Sequence, residues 1–162
     1  MKKSDEEEAL AAEIGASATG EPPASNLAPD VRPHLCDVLI ADDAGPSRQL
    51  LAGILRNFVG QLDLREARDG HDAVKLWRDF NPRITLLDID MPGLNGLEAL
   101  TLIRQEASGA FVAMISAGSA IANVKKALEL GAAGYVVKPY KPQRILDVLT
   151  KYRDVSGHDL QA

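Results

Sequence analysis

The chain has 162 residues with 18 lysines and arginines against 23 acids, for a formal net charge of −5. This balance gives no basic surface of the kind that indicates direct nucleic-acid binding, and the single cysteine, Cys36, excludes an internal disulfide and a cysteine metal cluster. The lone thiol and the lack of an apolar run near the ~20 residues of a membrane helix predict a cytoplasmic protein with no membrane segment.

Residues 1–35 are predicted to be a disordered, acidic N-terminal extension. They hold seven acids and three basic residues, and residues 16–34 carry four of the nine prolines without a helical or strand period. Such a composition is typical of disordered linkers. A short helix that begins at Ser4 and serves as a docking segment is the alternative.

From Cys36 onward, short apolar segments alternate with amphipathic ones. The apolar segments predict strands at residues 36–41, 62–67, 83–88, 110–116 and 134–138. Apolar residues at helical spacing predict helices at residues 46–60, 70–80, 96–107, 120–131 and 142–152. Ser47 is the predicted cap of the first helix. Five alternations favour an α/β fold with a doubly wound parallel sheet and helices on both faces.

Polar side chains stand at the ends of four predicted strands. Asp42 and Asp43 follow the first strand, Asp88 ends the third, Ser116 the fourth and Lys138 the fifth. Because open parallel sheets bind ligands at the carboxyl ends of their strands, these side chains are expected to converge on one edge.

The residue types at that edge predict a magnesium and phosphate site. Clustered carboxylates repel one another unless a cation joins them, and oxygen ligands on loops suit Mg²⁺. A carboxylate can also act as a nucleophile toward a phosphoryl group. A lysine and a hydroxyl placed opposite can then bind the phosphoryl oxygens.

Four segments make residues 36–153 resemble the receiver domain of a two-component response regulator, of the stand-alone, chemotaxis-regulator type. These segments are Asp42-Asp43, "LLDIDMPGLNG", "MISAG" and "GAAGYVVKPY", and they occur in the order and at about the spacing of that family. The resemblance implies a flavodoxin-like, five-stranded parallel sheet in the order 2-1-3-4-5. Residues 154–162 are then a C-terminal tail.

The resemblance also implies a role for each aspartate. Asp88 is the phosphoacceptor. Mg²⁺ is bound directly by Asp43 and Asp88, through water by Asp42, and by the backbone carbonyl of Asp90.

The same resemblance implies the parts of a switch. Ser116 supplies the hydroxyl that moves to bind the new phosphoryl group, and Lys138 pairs with Asp88 or with the phosphoryl oxygens. Tyr135 is the aromatic side chain that is buried or exposed as Ser116 moves. The peptide bond before Pro139 is expected to be cis.

Two residues near the site are expected to modulate it. Asp90 adds an acid two residues beyond the acceptor, and the hypothesis is that it changes the rate of dephosphorylation. Equal phosphoryl lifetimes in the wild type and Asp90→Asn would exclude this. Gly118, two residues beyond Ser116, leaves the site open to water or to a phosphatase, and an ordinary turn glycine is the alternative.

By this resemblance the protein is a signalling switch and not an enzyme. It takes its phosphoryl group from a sensor histidine kinase or a histidine phosphotransfer protein, and it is expected to phosphorylate itself from small donors and to lose the group again. Because no output domain is predicted after the last helix, output runs through an unidentified protein partner. The expected partner face comprises Lys125, Lys126, Tyr135, Lys141 and Arg144.

Two other functions stay open. One is a docking module that works without phosphorylation. The other is a phosphatase of the haloacid-dehalogenase type, in which Asp88 would be the nucleophile and Asp90 the general acid. That family needs an acidic pair late in the chain, whereas here the pair, Asp42-Asp43, comes first.

Overall fold

The computed structural model describes residues 32–117 and 121–160. Within these ranges five parallel strands form one sheet in the order β2-β1-β3-β4-β5, which confirms the predicted fold. The strands are β1 Val38–Ala41, β2 Leu64–Ala67, β3 Ile84–Asp88, β4 Val112–Ser116 and β5 Gly134–Val137.

Five helices connect and follow these strands. They are α1 Gly45–Val59, α2 Gly70–Phe80, α3 Gly96–Glu106, α4 Ile121–Glu129 and α5 Pro142–Ser156. The last helix is longer than predicted, so residues 154–156 belong to α5 and not to the C-terminal tail. Gly157 ends it with a φ of 79°, a backbone conformation that favours glycine.

The central strands β1, β3 and β4 are buried on both faces of the sheet, which is why they are almost continuously apolar in sequence. Ile84 and Leu86 of β3 pack on the face covered by α1 and α5. Leu87 and Ile89 pack on the opposite face, among residues of α2, α3 and α4. Burying each such side chain contributes about 1.5–3 kcal/mol, so the core holds the carboxyl ends of β1 and β3 in fixed positions.

Two helix starts were not predicted correctly in detail. Ser47 does not cap α1, because the N-cap residue is Ala44 and no side chain caps this helix. The start of α3 is fixed by a capping box that the sequence analysis missed. In it the Asn95 side chain accepts from the backbone N–H of Glu98, and the Glu98 side chain accepts from the N–H of Asn95.

Residues just before the predicted start of the domain, residue 36, make contacts with it. The Arg32 guanidinium lies 5.1 Å from the centre of the Trp77 ring, and the backbone N–H of Leu35 donates to the carbonyl of Phe80 at 2.8 Å. The side chain of Asn81 donates to the carbonyl of Arg32 at 2.9 Å. Residues 32–35 therefore contact the end of α2. Residues 1–31, most of the predicted extension, lie outside the described residues, and their disorder stays a prediction.

In the parts of the chain that are described, no helix is both long enough and apolar enough to cross a membrane.

Candidate functional site

Three carboxylates meet at the carboxyl edge of the sheet, as predicted. β1 and β3 are neighbours paired through Ala41 and Leu87, so the residues just beyond this pair, Asp42 and Asp88, lie side by side. Oxygen atoms of Asp42, Asp43 and Asp88 lie within 4.8 Å of one another. Asp42 and Asp88 are only 2 % and 3 % exposed, whereas Asp43 faces solvent.

Lys138 joins two of these carboxylates. Its Nζ donates to Asp42 Oδ2 at 2.8 Å and to Asp88 Oδ2 at 2.9 Å. The backbone at the end of β5 aims it there, because the N–H of Lys138 donates to the carbonyl of Ser116 at 2.8 Å. The peptide bond between Lys138 and Pro139 is cis, as expected.

The two buried carboxyl groups have opposite pKa shifts. Burial raises the pKa of Asp88 above its usual value, and hydrogen bonds from Lys138 and from the N–H of Asp90 only partly offset this. Burial acts in the same direction on Asp42. There, however, hydrogen bonds from Lys138, Ser47 and the N–H of Ala44 outweigh it and lower the pKa. Burial alone would lower the pKa of the Lys138 ammonium, but its two carboxylate partners raise it, so this group stays positive.

The donor set fits a magnesium ion. Three carboxylates face one ammonium group, which leaves an excess of negative charge. All the side-chain donors are hard oxygen atoms on strand ends and loops, and the exposed Asp43 leaves room for the waters that Mg²⁺ keeps. The backbone of Asp90 also reaches the site, since its N–H donates to Asp88 Oδ1 at 3.1 Å.

Of the predicted switch residues, Ser116 lies at this edge, whereas Tyr135 lies two residues further back in the sheet. Ser116 is buried at the end of β4 and pairs with Val137 of β5. Tyr135 is half-buried and packs against the core formed with α2, α3 and α4. Gly118 lies outside the described residues, so its predicted effect stays a prediction.

The basic side chains of the expected partner face are exposed, and one of them is paired with an acid. Lys125 and Lys126 on α4 and Lys141 before α5 face solvent. Arg144 is partly neutralised, because its guanidinium lies 3.1 Å from the carboxylate of Asp147.

Two hydroxyl-bearing side chains beside the acids were missed as site residues. The hydroxyl groups of Ser47 and Tyr140 lie 2.8 Å apart, and the Tyr140 hydroxyl lies 3.4 Å from Asp42 Oδ2. Burial, the largest influence, raises the pKa of Tyr140 above its usual value, so its hydroxyl keeps its proton at neutral pH. The sequence offered only an ordinary cap residue and the tyrosine that ends "VVKPY".

Arg48 was missed as well. Its guanidinium donates to the carbonyl of Asp42 at 2.7 Å and to the carboxylate of Glu66 at 2.9 Å. The backbone around Asp42 is therefore fixed from α1 and from the end of β2. The only signal available was an arginine five residues beyond the acidic pair.

Comparisons with known proteins agree with this geometry. Residues 38–150 match the family model described as "Response regulator receiver domain". The chain is 35 % identical over 114 residues to a chemotaxis protein CheY from Thermotoga maritima, covering 70 % of this chain and 94 % of that protein. A chemotaxis protein CheY from Listeria monocytogenes is 37 % identical, with 70 % and 95 % covered.

A solved structure gives the same fold. The receiver domain of NtrX from Brucella abortus superposes with a TM-score of 0.67 at 33 % identity, covering 73 % of this chain and 98 % of that one.

Proposed function

The chain belongs to the response regulator receiver family, and on that premise we propose that it is a phosphorylation-activated signalling switch whose acceptor is Asp88. The observation that carries this proposal is the position of Lys138, which holds a buried carboxylate beside two further acids. The docking-module alternative gives no reason for a charged cluster of this kind in the core. A buried, incompletely paired charge destabilises a fold, so its presence here favours a functional role.

The side chains divide the chemistry among them. A carboxylate oxygen of Asp88 attacks the phosphorus atom, and an O–P bond forms as the bond from phosphorus to the donor's nitrogen or oxygen breaks. The donor keeps that electron pair. Lys138 stays protonated and offsets the charge of the phosphoryl oxygens, and the N–H of Asp90 orients the carboxylate. We propose that Asp42, Asp43, Asp88 and the carbonyl of Asp90 hold Mg²⁺, which supplies further positive charge toward the phosphoryl group.

We further propose the partners and the location. The phosphodonor is a histidine kinase or a phosphotransfer protein, and the output partner is a protein that binds the face with Lys125, Lys126 and Lys141. Leu128 and Val137 are 52 % and 39 % exposed beside these lysines, so the face offers apolar as well as basic contacts. An acidic, partly apolar partner surface fits it. Ser116 and Tyr135 are the proposed link between the phosphoryl group and this face, and the cytoplasm is the proposed location.

Asp90 is proposed to tune how long the phosphoryl group persists. Its backbone contacts Asp88, while its side chain is exposed at the rim of the site, where it can act on an attacking water. The decay of the phosphorylated form of the wild type and of Asp90→Asn tests this, and identical decay rates would exclude the role.

Binding of beryllium trifluoride, a mimic of the phosphoryl group, tests the proposed function. Calorimetry in Mg²⁺ is expected to show binding by the wild type. Asp43→Asn, which removes a proposed metal ligand, should lower the Mg²⁺ affinity by about tenfold or more. Asp79→Asn, an exposed acid paired with Lys75 on α2, is the matched control and should behave as the wild type does. Failure of the wild type to bind would favour the docking module.

A further inference from the structure

Two side chains approach Asp42 Oδ2, and the hydrogen bonds that they make to it differ greatly in strength. The Lys138 ammonium donates to this oxygen at 2.8 Å, whereas the Tyr140 hydroxyl lies 3.4 Å away. An O–H···O hydrogen bond is normally 2.5–3.0 Å long. The Tyr140 hydroxyl is closer to Ser47, at 2.8 Å. In this state Lys138 therefore makes a short hydrogen bond to Asp42 Oδ2, and Tyr140 makes only a long, weak one.

Phosphorylation of Asp88 would change that balance. Lys138 is shared almost equally between Asp42 and Asp88, at 2.8 and 2.9 Å. A phosphoryl group brings strong acceptor oxygens and added negative charge, which draw the ammonium toward Asp88. Asp42 is 2 % exposed, so the oxygen that Lys138 leaves has few replacement donors apart from the waters of a bound Mg²⁺. A buried carboxylate oxygen without a donor is strongly unfavourable.

We propose that the Tyr140 hydroxyl takes over Asp42 Oδ2 when Lys138 turns to the phosphoryl group. This rests on the proposed function. The change needs a shift of less than about 1 Å, from 3.4 Å to an ordinary hydrogen bond. Ser47 supports it if its hydroxyl proton turns from Asp42 to the Tyr140 oxygen, which the 2.8 Å contact allows, because the tyrosine proton is then left for Asp42. Tyr140 is thus a positioning residue that stabilises the phosphorylated state more than the resting state.

The exchange also links the site to two helices. Ser47 lies in the first turn of α1, and Tyr140 precedes Lys141, the N-cap of α5. The Tyr140 ring packs against the core between the sheet and these two helices. Movement of the hydroxyl toward Asp42 therefore draws the starts of α1 and α5 toward the acidic site.

Tyr140→Phe tests the proposal, because it removes the hydroxyl and keeps the ring. Tyr152→Phe is the matched control, since Tyr152 lies near the other end of α5 in the same core. Calorimetry measures the affinity for beryllium trifluoride in saturating Mg²⁺ and, separately, the affinity for Mg²⁺ alone. We expect Tyr140→Phe to weaken beryllium trifluoride binding by about three- to tenfold. Its affinity for Mg²⁺ alone and its melting temperature without ligand should equal those of Tyr152→Phe.

Other outcomes have defined meanings. Equal beryllium trifluoride affinity in Tyr140→Phe and the wild type overturns the proposal, as does an equal loss of Mg²⁺ affinity, which would mark a general structural role. If Tyr140→Phe does not fold, Ser47→Ala replaces it and should weaken beryllium trifluoride binding in the same direction but less. A wild type that does not bind the mimic overturns the proposed function itself, whereas normal wild-type binding with an unaffected Tyr140→Phe overturns only this inference.

Discussion

At the scale of single residues, Lys138 determines how the two buried acids behave. It donates to both, but Asp42 also accepts from the N–H of Ala44 at 2.9 Å and has Ser47 beside it. Asp88 has fewer donors for the same depth of burial. One lysine therefore leaves Asp42 with a lowered pKa and Asp88 with a raised one, and the less stabilised carboxylate is the one that we assign as the nucleophile.

Substitution of Asp88 should stabilise the metal-free fold. The pKa of Asp88 is higher in the folded state, so its stabilising contribution is present below its unfolded pKa and is lost as the pH rises through the folded value. At pH 7 the ionised group opposes folding. We expect Asp88→Asn to raise the free energy of unfolding by about 1 kcal/mol at pH 7, with the gain shrinking toward pH 4. Urea unfolding without metal at both pH values measures this.

Asp42→Asn is the control for which we expect a stability change of the opposite sign. The lowered pKa of Asp42 means that its stabilisation is present above its unfolded pKa and is lost as the pH falls through the folded value. This substitution should therefore lower the free energy of unfolding at pH 7. A stabilised Asp42→Asn, or a destabilised Asp88→Asn, would contradict the assignment of the two pKa shifts.

Residues at strand ends could be predicted from the sequence, whereas the hydroxyl pair could not. Asp42, Asp43 and Asp88 follow buried apolar runs, so the rule for open parallel sheets places them together. Ser47 and Tyr140 are 93 residues apart, and neither stands at a strand end. Their contact depends on the packing of α1 beside the loop after β5, which no local pattern encodes.

At the scale of elements, two helical glycines have opposite surroundings. A Cβ added at Gly96, in the first turn of α3, would lie 2.1 Å from the backbone oxygen of Asp88. A Cβ added at Gly53, inside α1, would have no atom within 4 Å apart from its chain neighbours and the backbone of its own helix. Only the absence of a side chain at Gly96 lets α3 start against the end of β3, which fixes the loop that carries Asp90.

The two alanine variants should therefore change stability in opposite directions. Gly96→Ala forces the loop away from Asp88, and overpacking of this kind lowers stability by about 1–3 kcal/mol. Gly53→Ala should raise it by about 0.5–1 kcal/mol, because alanine favours the helix and meets no neighbour. Thermal unfolding of both variants beside the wild type is the measurement. A neutral Gly96→Ala would argue against the close approach of α3 to β3.

Element types were predictable and some element ends were not. Periodicity placed α2 at its observed bounds, 70–80, because its apolar residues form one clear stripe, and in the structure Asp69 caps its start. The end of α5 was missed because "DVSGH" reads as polar tail, yet the helix runs on to Ser156 and stops at the left-handed Gly157. Helix α1 starts at Gly45 without a side-chain cap. The preference for serine at the N-cap position therefore led to a wrong assignment of Ser47.

At the scale of the whole molecule, burial on both faces of the sheet made the fold readable from the sequence. β1, β3 and β4 are buried along their length and the helices are apolar on one side, which leaves few arrangements open. The contacts of the residues before Cys36 were harder to predict from the sequence. Residues 32–35 read as linker by composition, but Arg32 stacks on Trp77 and Leu35 binds the end of α2. These contacts bridge more than 40 residues of sequence.

The most direct test of the central claim is the intact mass of the full-length protein after incubation with Mg²⁺ and acetyl phosphate. Because Asp88 is held by Lys138 beside two further acids, the wild type should gain one labile phosphoryl group. Asp88→Asn, which lacks the nucleophilic carboxylate, should gain none. No gain by the wild type, or an equal gain by Asp88→Asn, would contradict the assignment of Asp88 as the phosphoacceptor.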